Sequence, residues 1–134
     1  MNYWLIKTEP STYSWSDLVS DKETEWTGIR NYLARNNLRA MKNGDLAFVY
    51  HSLTDKAIVG VAKVVREAIP DSTATDGDWS MVRFKAEHEL PHPITLESAK
   101  KDPNLKDMTL LKSSRLSVQP VTQAQWEHIM SKTS

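Results

Sequence analysis

The sequence contains no cysteine, which removes disulfides and thiolate metal sites from consideration and fits a reducing compartment. Its four glycines are scattered, so no glycine-rich phosphate cradle can be built from them. No apolar run approaches the ~20 residues that span a bilayer. The first residues lack the basic stretch and long apolar segment of a secretory signal, so a cytoplasmic chain with no membrane partner is expected. Net charge is missing as well. The 17 Lys and Arg balance 17 Asp and Glu, which argues against a protein that coats long tracts of nucleic acid through many phosphate contacts.

What is present is an ordinary globular composition, 40% hydrophobic and 25% charged over 134 residues. That length is enough for one hydrophobic core. With no internal repeat and no long linker, a single domain over 1–134 is expected, acting as a monomer. Five tryptophans are many for so short a chain. Most tryptophans fill cores, but clustered ones also stack on flat ligands. Charge is uneven locally. Arg30, Arg35, Arg39 and Lys42 lie between Thr27 and Gly44 with no acid among them, while acids gather at 17–25 and 71–78.

Alternation of Tyr3 and Leu5 against Trp4 and Ile6 predicts a strand over 2–7, stopped by Pro10. Ser14 and Asp17 form a capping-box pattern for a short helix near 15–20, followed by a polar loop over 21–24. Asn31 can cap a helix running to Lys42, with Leu33, Leu38 and Met41 as apolar positions and Asn43-Gly44 as the stop. Strands are predicted over 45–52, 58–65, 79–90 and 115–118. Gly60 marks a bulge or bend, and Pro91 and Pro93 end the fourth of the five strands. Thr95 opens a short helix, 108–111 is apolar but of no clear type, and Thr122 caps a C-terminal helix carrying Trp126, Ile129 and Met130. Short strands broken by compact helices predict an α+β domain with a curved or barrel-like sheet.

Catalytic and metal motifs are weak. His51 and Ser52 are neighbours in a strand and so point to opposite faces, and no Gly-x-Ser-x-Gly elbow exists. The histidines are dispersed, and the prolines at 91 and 93 keep His88 and His92 from sharing a helix, so no metal site is expected. What remains is a set of polar groups at strand and helix ends. These are Lys7-Thr8-Glu9, Arg30-Asn31, Arg35-Asn36, Tyr50-His51-Ser52 and Arg115-x-Ser117. Amides, hydroxyls, a carboxylate and guanidinium groups can read nucleobase edges, while Trp4, Trp26 and Tyr50 can stack on base faces. Each has a structural account too: Glu9 pairing an arginine, Asn31 only capping, Trp4 filling core.

Taken in order, Tyr3–Pro10, Trp26–Tyr32, Ala34–Arg39, Met41–Asp45, Tyr50–Ser52, Ile58–Ala62, Pro70-Asp71 and Arg115–Val118 resemble the EVE-domain family over nearly the whole chain. The resemblance implies a PUA-like β-barrel flanked by short helices. It also implies a non-catalytic pocket, without cofactor or metal, for a modified nucleobase. A modified cytosine in DNA, such as 5-methylcytosine, is the first expectation; a modified base in RNA and a small nucleobase-like metabolite are the alternatives. Carried over, Trp4 and Trp26 are aromatic walls, Lys7, Thr8 and Glu9 the mouth, and Arg30, Asn31, Arg35 and Asn36 a polar side. Tyr50, His51 and Ser52 form the floor, with Arg115 and Ser117 beside it, and Arg39 and Lys42 hold the nucleic-acid backbone. Thr8 stands where the family usually has Ser, and Leu33 where many members carry Gln.

Overall fold

The structure, a computed structural model, describes residues 1–133, so only Ser134 of the expected domain lies outside the described residues. The chain runs β1 (Tyr3–Thr8), α1 (Trp15–Asp21), β2 (Glu23–Trp26), α2 (Tyr32–Ala40), β3 (Leu46–His51), β4 (Ala57–Pro70) and β5 (Ser80–Thr95). It continues through α3 (Leu96–Lys101), a 3₁₀ turn (Pro103–Leu105), α4 (Thr109–Lys112), β6 (Val118–Val121) and α5 (Gln123–Thr133). The strands form one mixed sheet in the order β2-β5-β4-β3-β1-β6, in which β1 runs parallel to β3 and every other pair is antiparallel. The α+β architecture matches the sequence expectation.

Period-two alternation sorts the strand residues into two cores. Trp4, Ile6, Ala47, Val49, Ala62, Val64, Val82 and Phe84 face α1 and α2, which contribute Trp15, Leu18, Ala34 and Leu38. Leu5, Phe48, Tyr50, Ile58 and Val61 face the C-terminal helices, where Trp126 stacks on Phe48 at 3.8 Å and on Tyr3 at 4.7 Å. Asp45, buried just before β3, fastens the lower end of the first core. Its carboxylate accepts from the Trp4 indole at 3.0 Å, the Asn2 amide at 3.1 Å and the Lys42 amide at 3.0 Å.

The helix caps appear where the sequence placed them: Ser14 with Asp17, Asn31 on the Ala34 amide, Thr95 on Ser98, and Thr122 with Gln125. Four element expectations need correction. The polar loop expected at 21–24 runs into β2, which pairs with β5; Glu25 lies opposite Arg83 and receives hydrogen bonds from both Arg83 and Arg66. Cross-strand ion pairs, not apolar alternation, mark that strand. Pro91 and Pro93 do not end β5, because Leu90–Pro93 bulge opposite the single residue Val59, where no ladder bond is needed. The strand expected at 115–118 begins only at Val118, and Arg115 lies in a turn. Leu33, expected on the apolar stripe of α2, is exposed.

The sheet is strongly curled. β2 and β1 are four ladder steps apart, which in a flat sheet would separate them by ~19 Å. Yet residues of both line one cleft. Bulges along β4 supply the bend, and one lies beside Gly60. There the Trp15 ring lies so close that an added Cβ would stand 2.6 Å from three of its atoms. Trp15 cannot easily withdraw, since its backbone amide donates to His51 Nε2 and its indole to Glu89. Gly60→Ala should therefore cost ~1–3 kcal/mol through overpacking. A fall in the urea unfolding midpoint at unchanged slope would register it.

Candidate functional site

The upper end of β1 opens into a cleft of about 620 Å³. One wall is Lys7, Thr8 and Glu9 with Ser117; Thr12 and Tyr13 close it on a second side, and residues 24–29 form the opposite wall. The strand delivers its polar end here because its backbone is fixed on both flanks. The Lys7 amide donates to the Ser117 carbonyl, and the Thr8 carbonyl accepts from the Ser52 amide, each at 2.9 Å. The chain then turns at once, with the Glu9 carbonyl accepting from the Thr12 and Tyr13 amides.

The lining side chains differ in how much bonding capacity they keep. Lys7 donates to the Ser114 carbonyl at 2.7 Å and sits 5.9 Å from the Tyr50 ring centre, and its partial burial pulls its pKa below the ordinary lysine value. Two of its three N–H groups remain for a ligand. Thr8 donates its hydroxyl to the Tyr13 carbonyl at 2.6 Å and keeps its acceptor lone pairs. Glu9 is exposed, and its carboxylate has no hydrogen bond or ion pair among the described residues. Glu25, by contrast, is committed to Arg66 and Arg83, whose hydrogen bonds, Arg66 first, lower its pKa against the opposing effect of burial. Trp26 shows little surface and is wedged edge-on between Tyr13 and Phe84.

The 26–29 wall depends on a residue 43 positions from Gly28. Gly28 adopts φ +82°, a left-handed conformation in which its amide points at Asp71 and donates at 2.9 Å. The same carboxylate accepts from Arg30 at 3.1 Å and from the amide and hydroxyl of Thr73. Burial alone would raise the Asp71 pKa, but these hydrogen bonds together bring it down to about 2.

Five of the sequence-predicted residues meet at this cleft: Lys7, Thr8, Glu9, Trp26 and Ser117. The others do not line it. Trp4 is core, with its indole tied to Asp45; it stands four residues, or ~13 Å of strand, below Thr8. Tyr50 is buried in the second core and stands behind the cleft, with the Lys7 ammonium between them at 5.9 Å from its ring centre. His51 has both ring nitrogens occupied, Nε2 accepting from Trp15 and Nδ1 facing Asp55 at 3.0 Å, so it has none left to activate Ser52. Arg30 pairs with Asp71, and Asn31 caps α2. Arg35 binds the Asp78 carbonyl and the Asn36 side chain; Arg39 binds Asp78 at 2.6 Å and Ser80 at 2.8 Å. Lys42 and Arg115 are exposed. Sequence reasoning missed Thr12, Tyr13, Thr24, Glu25 and Asp71. Asp71 lay in the acid cluster at 71–78 and in the Pro70-Asp71 pair that helps carry the resemblance, but neither signal shows that it meets Gly28 and Arg30.

A curled mixed sheet flanked by helices, with a polar-mouthed, aromatic-walled cleft at the end of its first strand, defines a PUA-like domain. The chain belongs to the EVE domain family, whose model matches residues 2–132. Thymocyte nuclear protein 1 of Mus musculus is 40% identical, over 97% of this chain and 73% of the relative. A crystal structure of a protein from Agrobacterium tumefaciens superposes with a TM-score of 0.97 at 43% identity, covering 100% of this chain and 94% of that one. Human THYN1 protein, crystallised in complex with 5-methylcytosine-containing DNA, superposes at 0.91 with 34% identity, over 100% of this chain and 98% of the other.

The Asp71 carboxylate has no exposed surface, so its lowered pKa translates into stability with little screening. The stabilisation is complete above the unfolded value of 3.8 and disappears as pH falls through the folded value near 2. Asp71→Asn should lose on the order of 1–2 kcal/mol at neutral pH. Urea titrations of both proteins should show the gap closing below pH 4, as the wild type is protonated.

Proposed function

We propose that this chain is a non-catalytic, monomeric, single-domain module that binds DNA and holds a modified cytosine, turned out of the duplex, in the cleft beside β1. The observation that carries the reading is the likeness, over the whole chain, to human THYN1 protein bound to 5-methylcytosine-containing DNA. The cleft chemistry supports it. The uncommitted Glu9 carboxylate suits the exocyclic amine of cytosine, the base donor that acidic side chains accept from. Lys7 and Ser117 supply groups for the acceptor edge, and Trp26 with Tyr13 gives an aromatic wall beside which a ring methyl group can pack. Turning a base out costs a few kcal/mol, which stacking and edge hydrogen bonds offset. Zero net charge agrees with a footprint of few phosphates, and the absence of cysteine agrees with the cytoplasmic placement read from the sequence.

The test is titration of two DNA duplexes that differ only at one cytosine, methylated at C5 or plain. The wild type should prefer the methylated duplex, and Glu9→Gln should weaken that binding by about fivefold, because a neutral amide oxygen replaces the charged acceptor. Equal affinity for the two duplexes would sink the reading. Tighter binding to a matched modified RNA, or to the free modified nucleoside, would replace DNA as the ligand.

A further inference from the structure

Outside the cleft, one surface has a construction that holding the fold together does not explain. Tyr32, the first residue of α2, lies flat against Trp79 with ring centres 5.1 Å apart and planes at 22°. The Arg35 guanidinium sits 5.0 Å from the Tyr32 ring and 5.8 Å from that of Trp79, and Arg30 lies 5.7 Å from Trp79. A stack serving only to pin the 71–79 segment onto α2 would bury its rings. Instead Tyr32 is 67% exposed, and its neighbour Leu33 is 57% exposed. The ring is held rigidly and left uncovered. Arg30 and Arg35 flank the stack, Arg39 and the exposed Lys42 follow along α2 and just past its end, and Asp71, Asp76 and Asp78 lie on the opposed segment. Asp71 and Arg30 are spent on each other, which leaves Arg35, Arg39 and Lys42 against Asp76 and Asp78, an excess of one cation.

This ledge joins the cleft. Gly28 and Ile29 line the cleft, Arg30 is the next residue, and one oxygen of Asp71 bonds both the Gly28 amide and Arg30. From Gly28 to Tyr32 is four residues, at most ~14 Å of extended chain. The two therefore lie within about four nucleotide steps of each other at 3.4 Å per step.

We infer that Tyr32, backed by Trp79 and Arg35, is a second nucleic-acid contact, a stacking ledge for the DNA strand flanking the base held in the cleft. A rigid exposed ring ringed by guanidinium groups fits this occupant, because every base has a π-face and every linkage a phosphate. The ledge is indifferent to the modification. It contributes affinity, whereas the cleft contributes choice. The inference rests on the proposed function for its ligand but is tested separately from it.

The experiment measures wild type, Tyr32→Ala, Tyr32→Phe and Glu9→Gln on the methylated and plain duplexes. Tyr32→Ala removes a side chain that is mostly exposed, so the fold is kept, and circular dichroism checks this. It should weaken binding to both duplexes by about fivefold or more, at an unchanged ratio between them, as loss of one stacked base implies. Tyr32→Phe should restore binding, and Glu9→Gln should lower the ratio instead, because plain cytosine, without the methyl contact, is turned into the cleft less often and so meets Glu9 less. Undiminished binding by Tyr32→Ala overturns the ledge. So does a loss confined to the methylated duplex, which would put Tyr32 in base recognition. A loss seen only with a matched single-stranded RNA overturns DNA as the occupant. If the wild type fails to distinguish the duplexes, the cleft reading falls while the Tyr32→Ala comparison still decides the ledge.

Discussion

A six-stranded sheet that must curl far enough for β2 to meet β1 is the constraint on which the molecule depends. Twist alone does not bring together strands four ladder steps apart, so the bend is concentrated in β4, where the register with β5 slips repeatedly. Trp15 lies against the bend at Gly60, with its ring held by Glu89 and its backbone by His51. Asp45 closes the opposite end by joining Trp4, the N-terminal segment and the amide after α2. Between these two fastenings the first core fills, and the cleft is the space left at its mouth.

The two faces of the sheet divide the work. The face toward α3, α4 and α5 is packed with aromatic and aliphatic groups and anchors the C-terminal half of the chain through Trp126. The face toward α1 and α2 ends in polar groups that strand geometry cannot bury. Its ion pairs serve mainly as positioning devices: Arg66 and Arg83 hold Glu25 in the wall, and Asp71 holds the turn at Gly28. The partly exposed Glu25 pairs add little to stability one by one, unlike the buried Asp71, but each pair fixes where a neighbouring group stands.

Much of this was legible in the sequence wherever local chemistry decides the outcome. β1 and β3 follow from their alternation, and the capped helices from Ser14, Asn31, Thr95 and Thr122. Lys7, Thr8 and Glu9 stood out as polar groups at the end of a core strand, and the resemblance to the EVE-domain family assigned them to a pocket mouth. The failures share a cause, which is dependence on partners distant in sequence. β2 is held by arginines from β4 and β5. The prolines of β5 are tolerated because a bulge relieves them of ladder bonds. Arg30, Arg35 and Arg39 are drawn off by acids about 40 residues ahead, and Trp4 by Asp45, pairings that spacing within a segment cannot reveal.

Asp71 ties the cleft wall and the Arg30 end of the aromatic ledge to one carboxylate, so the two surfaces keep a fixed separation. On the proposed reading, such a molecule works as a gauge and not as a grip. A duplex that touches both points has to adopt the protein's spacing, and the work of bending or unstacking falls on the nucleic acid. Selectivity would then reside partly in DNA that the protein never touches: flexible steps beside the target base lower the cost of fitting, and stiff tracts raise it.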